Sequence, residues 1–295
     1  MSNSNKLWRV TLVLAATLLG GSLAFGQAQT NPPANPPATN PPAQGQDQNK
    51  PANQQAAPLT LDSAPAPVSA EEEAAIKNFD TASNDDPGKK NQAALDFLQK
   101  YPQSRYRGPI YSWQVRYYFS TGQIDQMEAA GDKELELIPN DAQTLAIVGS
   151  ALPRAMNANT PDPQKRLAKA EQYSQKSLDL LPAMAKPEGM TDEQFLRAKN
   201  MTSALAYSGL GLVAFRRGKF ADAIPHFEKS VQLDPQPDPV NYYLLGICNE
   251  KTSHFDEAAV DFSKCSDIPG GLQATCKQGV DEAKKAGATQ LSAPK

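Results

Sequence analysis

Residues 207–235 have the sequence YSGLGLVAFRRGKFADAIPHFEKSVQLDP, and this stretch decides the fold. Its apolar residues recur at the three- and four-residue spacing of amphipathic helices, and Gly218 separates two such helices. The small residues Gly211 and Ala223 allow the two helices to approach closely. Pro235 ends the second helix, because proline lacks the amide hydrogen that a continuing helix needs. The stretch therefore predicts a tightly packed helical hairpin.

This pattern resembles the tetratricopeptide repeat, a helical hairpin of about 34 residues. The positions that carry the resemblance are Tyr207, Leu210, Gly211, Gly218, Phe220, Ala223, Phe227 and Pro235. The chain departs from the family at Ala214, where an aromatic residue is usual, and at Ser230, where alanine is usual. The resemblance implies an all-α fold, a right-handed α-solenoid of helical hairpins that ends in a C-terminal capping helix.

A second copy of the pattern follows 35 residues later. Tyr242, Leu245 and Gly246 open it, His254-Phe255 form its turn, and Ala258 and Phe262 pack its second helix. Its closing proline, Pro269, comes one residue early. We assign the two best repeats to residues 204–237 and 239–269.

Weaker copies lie upstream, marked by a phrase that ends in proline at Pro139, Pro182 and Pro235. They predict hairpins over 70–102, 111–139 and 145–182, the last with an insertion around 157–164. A capping box of Thr191 and Gln194 predicts one long helix over about 191–217, and a polar capping helix is predicted over 271–286. The repeat domain is thus predicted over 69–287, with a disordered tail over 288–295.

The amino-terminal end predicts export. Lys6 and Arg9 precede an apolar run from Val10 to Phe25 that is too short for a comfortable membrane span, and small residues follow it. Residues 1–28 are therefore predicted to be a cleaved signal peptide, with a retained anchor as the alternative, and the protein to be periplasmic or secreted. Asn-Pro-Pro triplets and Gln/Asn-rich sequence predict a disordered linker over 29–68, with a ligand for a proline-binding partner as the alternative.

Composition and motifs favour a binding protein over an enzyme. The formal charge of −3 predicts neither nucleic-acid binding nor a polybasic membrane-binding patch. No stable membrane insertion is expected after cleavage of the signal peptide. His226 and His254 lie outside any metal or catalytic motif and are interpreted as surface residues, with catalysis or metal binding as the alternative. No nucleotide-binding loop, hydrolase motif or calcium loop is present in the sequence. We expect no enzymatic activity, no metal and no cofactor.

The three cysteines, Cys248, Cys265 and Cys276, all lie in the last fifth of the chain. In an exported protein, Cys265 and Cys276 are candidates for a disulfide that joins the last repeat to the capping helix. Three buried, reduced thiols are the alternative, and no close cysteine pair supports a zinc site.

The resemblance also implies a binding groove, because the first helices of successive repeats line a concave surface in this family. The corresponding positions here are Ser112, Arg116, Phe119, Leu212, Phe215, Arg216, Tyr243, Ile247, Glu250 and Lys251. Aromatic and apolar residues beside Arg and Lys can anchor a peptide or partner helix and orient its carboxylates. The alternative is that some of these residues only contact the neighbouring repeat.

Two functions follow from these predictions. The first is a non-catalytic interaction module or scaffold of the cell envelope that binds a protein or peptide of unknown identity. The second is a structural protein that self-associates and organises a larger envelope complex. A catalytic function would require scattered residues that no motif marks.

Overall fold

The computed structural model describes residues 68–82 and 86–291. All regular structure within these ranges is helical. In chain order the helices are α1 (Ala70–Thr81), α2 (Pro87–Lys100), α3 (Arg107–Ser120), α4 (Ile124–Leu137), α5 (Ala142–Ala155), α6 (Pro163–Leu180), a short 3-10 turn (Leu181–Ala183), α7 (Asp192–Arg216), α8 (Phe220–Leu233), α9 (Pro239–Lys251), α10 (Phe255–Asp267) and α11 (Gln273–Leu291).

The helices pack in sequence as five antiparallel hairpins, α1 with α2 through α9 with α10, and α11 packs against α10. This arrangement confirms the predicted all-helical repeat architecture. The predicted signal peptide and almost all of the predicted linker lie outside the described residues. The predicted tail differs in part from the structure, because α11 continues to Leu291 instead of ending near residue 287.

Local sequence sets the helix ends. The side chain of Ser69 accepts a hydrogen bond from the Glu72 amide at 3.1 Å, and Thr191 and Gln194 form a complete capping box at the start of α7. α7 therefore has 25 residues, close to the long helix predicted from the sequence.

The turn inside three of the hairpins has one recurring geometry. Gly122 and Gly218 adopt left-handed φ values of 72° and 73° after α3 and α7. In the turn from α9 to α10 the same place is taken by Ser253, with φ of 65°. The amides of these three residues donate to carbonyls of the preceding turn, at 3.2 Å for Gly122, 2.9 Å for Gly218 and 3.0 Å for Ser253.

Four apolar clusters run along the array. One joins α1, α2 and α3; the largest joins α3 to α7; a third joins α7, α8 and α9; and the fourth joins α9, α10 and α11. Met127 and Val115 fill the positions where the strong repeats carry small residues, and both are fully buried. The α3–α4 hairpin thus uses larger side chains where α7 and α9 have Gly211 and Gly246, whereas α5 and α6 meet at Gly149.

Buried polar residues also join neighbouring hairpins. Ser208 donates to Asn241 at 2.8 Å, Asn241 donates to Ser230 at 3.0 Å, and Ser230 donates to the Ala204 carbonyl at 2.8 Å. Ser230 replaces the alanine usual in the family and uses its hydroxyl in this chain of bonds. The network satisfies polar groups that would be costly to bury alone.

Candidate partner-binding surface

The predicted groove residues of α9 lie at the boundary between two cores. Tyr243 and Ile247 are half-buried, and each packs against the cluster of α7–α9 and against that of α9–α11. The ring of Tyr243 lies 5.9 Å from that of Phe262, centroid to centroid. Both side chains keep part of their surface exposed, so they can contact a partner.

The next turn of α9 adds charge to this region. Lys251 is exposed, and Glu250 is half-buried. Burial raises the pKa of Glu250, the carboxylate of Glu282 on α11 raises it further, and Lys251 lowers it. Glu282 also lines an open cleft of about 560 Å³ together with Phe255 and Lys285. The surface of α9 thus continues onto α11.

The three predicted residues of α7 have different environments. Leu212 is only 3% exposed and belongs to the core of α7–α9, so it is a packing residue and is closed to a partner. Phe215 is half-buried, with its ring edge-on to that of Phe220 at 5.5 Å. Phe215 therefore has some accessible surface beside α9.

Arg216 is exposed, but its guanidinium is already engaged. Its Nε donates to the carbonyl of Pro153 at 3.0 Å, and its Nη2 donates to that of Arg154 at 3.4 Å. These carbonyls are at the C-terminal end of α5, where no intrahelical donor is available. Arg216 therefore caps the C-terminal end of α5, and this structural role accounts for the position of Arg216 without any binding to another protein.

Helix α5 interrupts the predicted groove. Every residue from 144 to 153 is buried, so this helix has no accessible face along most of its length. At the end of α5, Arg154 forms an ion pair with Asp238, the N-cap of α9. This ion pair links α5 directly to α9, without a contact through α7. The predicted groove residues therefore form two separate surfaces instead of one continuous groove.

We name these surfaces by their helices. The α7–α9 face consists of Phe215, Tyr243, Ile247, Glu250 and Lys251. The α3–α5 face consists of Ser112, Arg116, Phe119 and Gln143.

On the α3–α5 face, Arg116 is the central residue. Its Nη1 donates to Ser112 Oγ at 2.8 Å and to Gln143 Oε1 at 3.4 Å. Burial lowers the pKa of Arg116, while the charges of Asp141 and Glu134 act in the opposite direction. Phe119, half-buried, packs on the cluster of α3–α7.

Glu134 lies beneath this face and is not among the site residues predicted from the sequence. It is 0% exposed, and it accepts a hydrogen bond from the hydroxyl of Thr144. Burial raises the pKa of Glu134 to about 7, and Asp141 contributes to the increase. A signal was present, because Glu134 follows Met127, Ala130 and Gly131 on the buried stripe of α4 at helical spacing.

Two of the three cysteines are joined in a disulfide, and the third is free. Cys265 on α10 and Cys276 on α11 form a disulfide with a Cα–Cα distance of 5.8 Å, and both are fully buried. Cys248 is a free, buried thiol on α9, and burial raises its pKa to about 12. The disulfide fixes the capping helix to the last hairpin.

Neither histidine is a member of either face. His226 is half-buried against the ring of Tyr207 at 6.3 Å, and burial lowers its pKa. His254 precedes α10, and its Nδ1 lies 2.9 Å from Thr252 Oγ1. Within residues 68–82 and 86–291, no group of three or more His, Cys, Asp or Glu side chains is placed to hold a metal ion. In the same ranges, no helix is both long and apolar enough to span a membrane.

Comparison with known proteins agrees with the hairpin geometry. Residues 204–237 match the tetratricopeptide repeat family model. This stretch, which spans α7 and α8, is a tetratricopeptide repeat. Proteins of this family are typically non-catalytic and serve as protein-interaction scaffolds.

Two solved structures are similar to this chain. One is TTC0263, a thermophilic TPR protein of Thermus thermophilus, with 15% identity over 73% of this chain and 95% of that chain, and a TM-score of 0.44. The other is MamA protein, with 22% identity over 64% of this chain and 92% of that chain, and a TM-score of 0.39. No curated protein matches the chain in sequence.

Proposed function

We propose that this protein is a non-catalytic interaction scaffold of the cell envelope, and that a partner peptide or helix binds on the α7–α9 face. The observation that carries the proposal is the half-burial of Phe215, Tyr243 and Ile247 beside the exposed Lys251. Aromatic and aliphatic side chains that are held by a core but retain exposed surface are typical anchors of protein interfaces. The neighbouring charges can fix the orientation of the partner.

The envelope location follows from the amino-terminal sequence. Residues 1–28 have the charged start, apolar centre and small-residue exit of a signal peptide. Fractionation of cells that express the full chain, compared with a chain lacking residues 2–28, tests this part. Loss of the protein from the envelope or secreted fraction on truncation is expected, and an unchanged distribution would contradict export.

Site-specific crosslinking tests the binding surface. A photoreactive amino acid replaces Lys251 in the full chain, and the matched control carries it at Lys229, an exposed lysine of α8 outside both faces. Because the proposal places the partner on the α7–α9 face, light should produce an adduct with another protein from position 251 and none from position 229. Equal adducts from both positions, or none from 251, would reject this surface.

The same experiment distinguishes binding of a different protein from the alternative function, in which copies of this chain self-associate. If the adduct from position 251 contains two copies of this chain, the protein self-associates through this face. Size-exclusion chromatography of the full chain then checks the result, since a self-associating protein elutes earlier as its concentration rises. A concentration-independent monomer would exclude the self-assembly alternative.

A further inference from the structure

Beneath the α3–α5 face lies a carboxyl group that the proposed function does not use. Glu134 is fully buried on α4, and its Oε2 accepts a hydrogen bond from Thr144. Its other oxygen, Oε1, has no hydrogen-bond partner. A buried carboxylate with an unpaired oxygen is costly, whereas the protonated acid is far less so.

A second carboxyl group lies next to the first. Asp141 is the N-cap of α5, and its Oδ1 accepts a hydrogen bond from the Thr144 amide at 2.8 Å. The burial of Glu134 and the nearby charge of Asp141 raise the pKa of Glu134 to about 7. Glu134 therefore keeps its proton to a higher pH than an ordinary glutamate does.

Arg116 is half-buried and interacts electrostatically with both carboxyl groups, and both of its hydrogen-bond acceptors, Ser112 and Gln143, are neutral. Only its Nη1 is engaged; Nε and Nη2 make no hydrogen bond to the described residues. A guanidinium is always charged and can bind a carboxylate through two parallel donors. Arg116 is thus free to receive a carboxylate from outside the chain, unlike Arg216 and Arg154.

Few other charged groups face Arg116, Glu134 and Asp141. From α3 the cluster receives Arg116 and Ser112, and from α5 it receives Asp141 and Thr144. On α4 itself, Lys133 and Glu136 pair with each other at the exposed surface. From α6, Lys176 reaches the α4–α5 turn, where it donates to the Pro139 carbonyl at 2.6 Å.

The charge below Arg116 therefore depends on a single proton. With Glu134 protonated, the negative charge of Asp141 is the main one facing the guanidinium. With Glu134 ionised, two negative charges face it, and they repel a third carboxylate that approaches from the partner. The repulsion acts through partly buried protein, where screening by salt is weak.

We propose that Arg116 binds a carboxylate of the partner and that the proton on Glu134 controls this binding, which is tight when Glu134 is protonated and weak when it is ionised. This inference rests on the proposed function in that it takes the protein to be an interaction scaffold, and it adds the α3–α5 face as a second binding surface. It identifies the partner segment that reaches α3 as acidic, and it makes the interaction proton-linked.

The first test needs no partner. The full chain is labelled with ¹³C at its glutamate carboxyl carbons, and the Glu134 signal is identified by its absence in Glu134→Gln. The expected NMR titration midpoint is about 7. It should fall in Asp141→Asn, which keeps the helix cap but removes the charge, and rise in Arg116→Gln. A midpoint near 4.5, the ordinary value, would overturn the inference.

The second test uses a fluorescein-labelled hexaglutamate peptide as the probe, with binding followed by fluorescence anisotropy at pH 6 and pH 8. The wild-type chain should bind roughly fivefold more tightly at pH 6, because one charge below Arg116 is then neutralised. Arg116→Gln should bind weakly at both values of pH. Glu134→Gln should bind tightly at both.

The control is Arg105→Gln, which removes an arginine whose guanidinium bonds, among the described residues, to the Tyr106 side chain. It should keep the pH dependence of the wild type. If Glu134→Gln still binds the peptide more tightly at pH 6 than at pH 8, the proton on Glu134 does not regulate binding. If Arg116→Gln still binds the peptide tightly, Arg116 is not the carboxylate-binding residue. Crosslinking from position 251 on the α7–α9 face is independent of both results, so the two proposals can fail separately.

Discussion

A Cβ atom built on Gly211 would lie 2.8 Å from Cδ1 of Phe227, closer than carbon atoms can approach without a shift. Gly211 is on α7 and Phe227 is fully buried on α8, so the two helices of the strong repeat meet through a residue without a side chain. In the next hairpin Gly246 stands in the same relation to Phe262, with 2.7 Å to Cε1. The phenyl ring occupies the space that any larger residue would need.

Gly211→Ala is therefore expected to destabilise the protein. The added methyl group must displace Phe227 in a filled core, and overpacking of this kind costs about 1–3 kcal/mol. Urea unfolding followed by circular dichroism measures the change in the free energy of unfolding. The matched control is Gly271→Ala, where a Cβ would meet nothing within 4 Å, and a loss as large there would contradict the explanation.

Ser253→Gly is expected to stabilise the protein. Ser253 has a left-handed φ of 65° at the place where Gly122 and Gly218 end the corresponding helices. Glycine adopts this conformation without the steric cost of a side chain, so the gain should be about 0.5–1 kcal/mol. The reciprocal change, Gly218→Ser, should lower the midpoint of thermal unfolding. A shift of the same sign in both variants would show that the backbone conformation is not the cause.

The stability of the protein should fall as pH rises through 6 because of Asp261. This buried carboxyl group accepts a hydrogen bond from Asn249 at 2.8 Å, yet burial raises its pKa to about 6 from an ordinary value of 3.8. A raised pKa means that the folded state binds the proton more tightly than the unfolded state does. The associated stabilisation is therefore complete below pH 4 and is lost as pH rises to about 6.

Asp261→Asn removes this titration and should make the protein more stable than the wild type at pH 8 by about 1–3 kcal/mol. At pH 4 the two should be nearly equal. The long contact of Asp261 with Lys264, at 3.8 Å, is lost in the variant but contributes little at a surface lysine. Urea unfolding at both pH values measures the difference, and an equal difference at pH 4 and pH 8 would contradict the explanation.

The Cys265→Ala, Cys276→Ala double variant, which lacks the disulfide, should have a free energy of unfolding about 3 kcal/mol lower than the wild type, since the bond closes a loop with a sequence separation of 11. Thiol counting tests the bond directly. The unfolded protein should react with one equivalent of thiol reagent, at Cys248, before reduction and with three equivalents after it. Three equivalents before reduction would show that the bond is absent.

The sequence predicted the helices well because their signals are local. The glycine at position 218, the proline at 235 and the capping box at Thr191 act within a few residues of themselves, and the structure places the helix ends beside them. Even the unusually long α7 follows from its cap and from the absence of a breaking residue before Gly218.

The sequence predicted the binding surface less well because accessibility is a tertiary property. Leu212 occupies a family groove position, but α9 packs over it, and the burial of α5 depends on contacts from α3 and α7 on either side. Arg216 has the residue type of a binding site, yet a carbonyl of α5 lies within its reach. Glu134 differs, since its place on the buried stripe of α4 was visible from helical spacing alone.

The ion pair of Arg154 with Asp238 gives the array an unusual mechanical property. In a simple stack each hairpin depends only on its immediate neighbours, so that damage at one end fades with distance. Here the fifth helix is tied to the ninth past the seventh, and Arg216 adds a second link at the same end of the fifth helix. The end of α5 is thus held by contacts from helices further along the chain, and shortening the chain from its carboxyl end should loosen hydrogen exchange in α5 before any residue of α5 is removed.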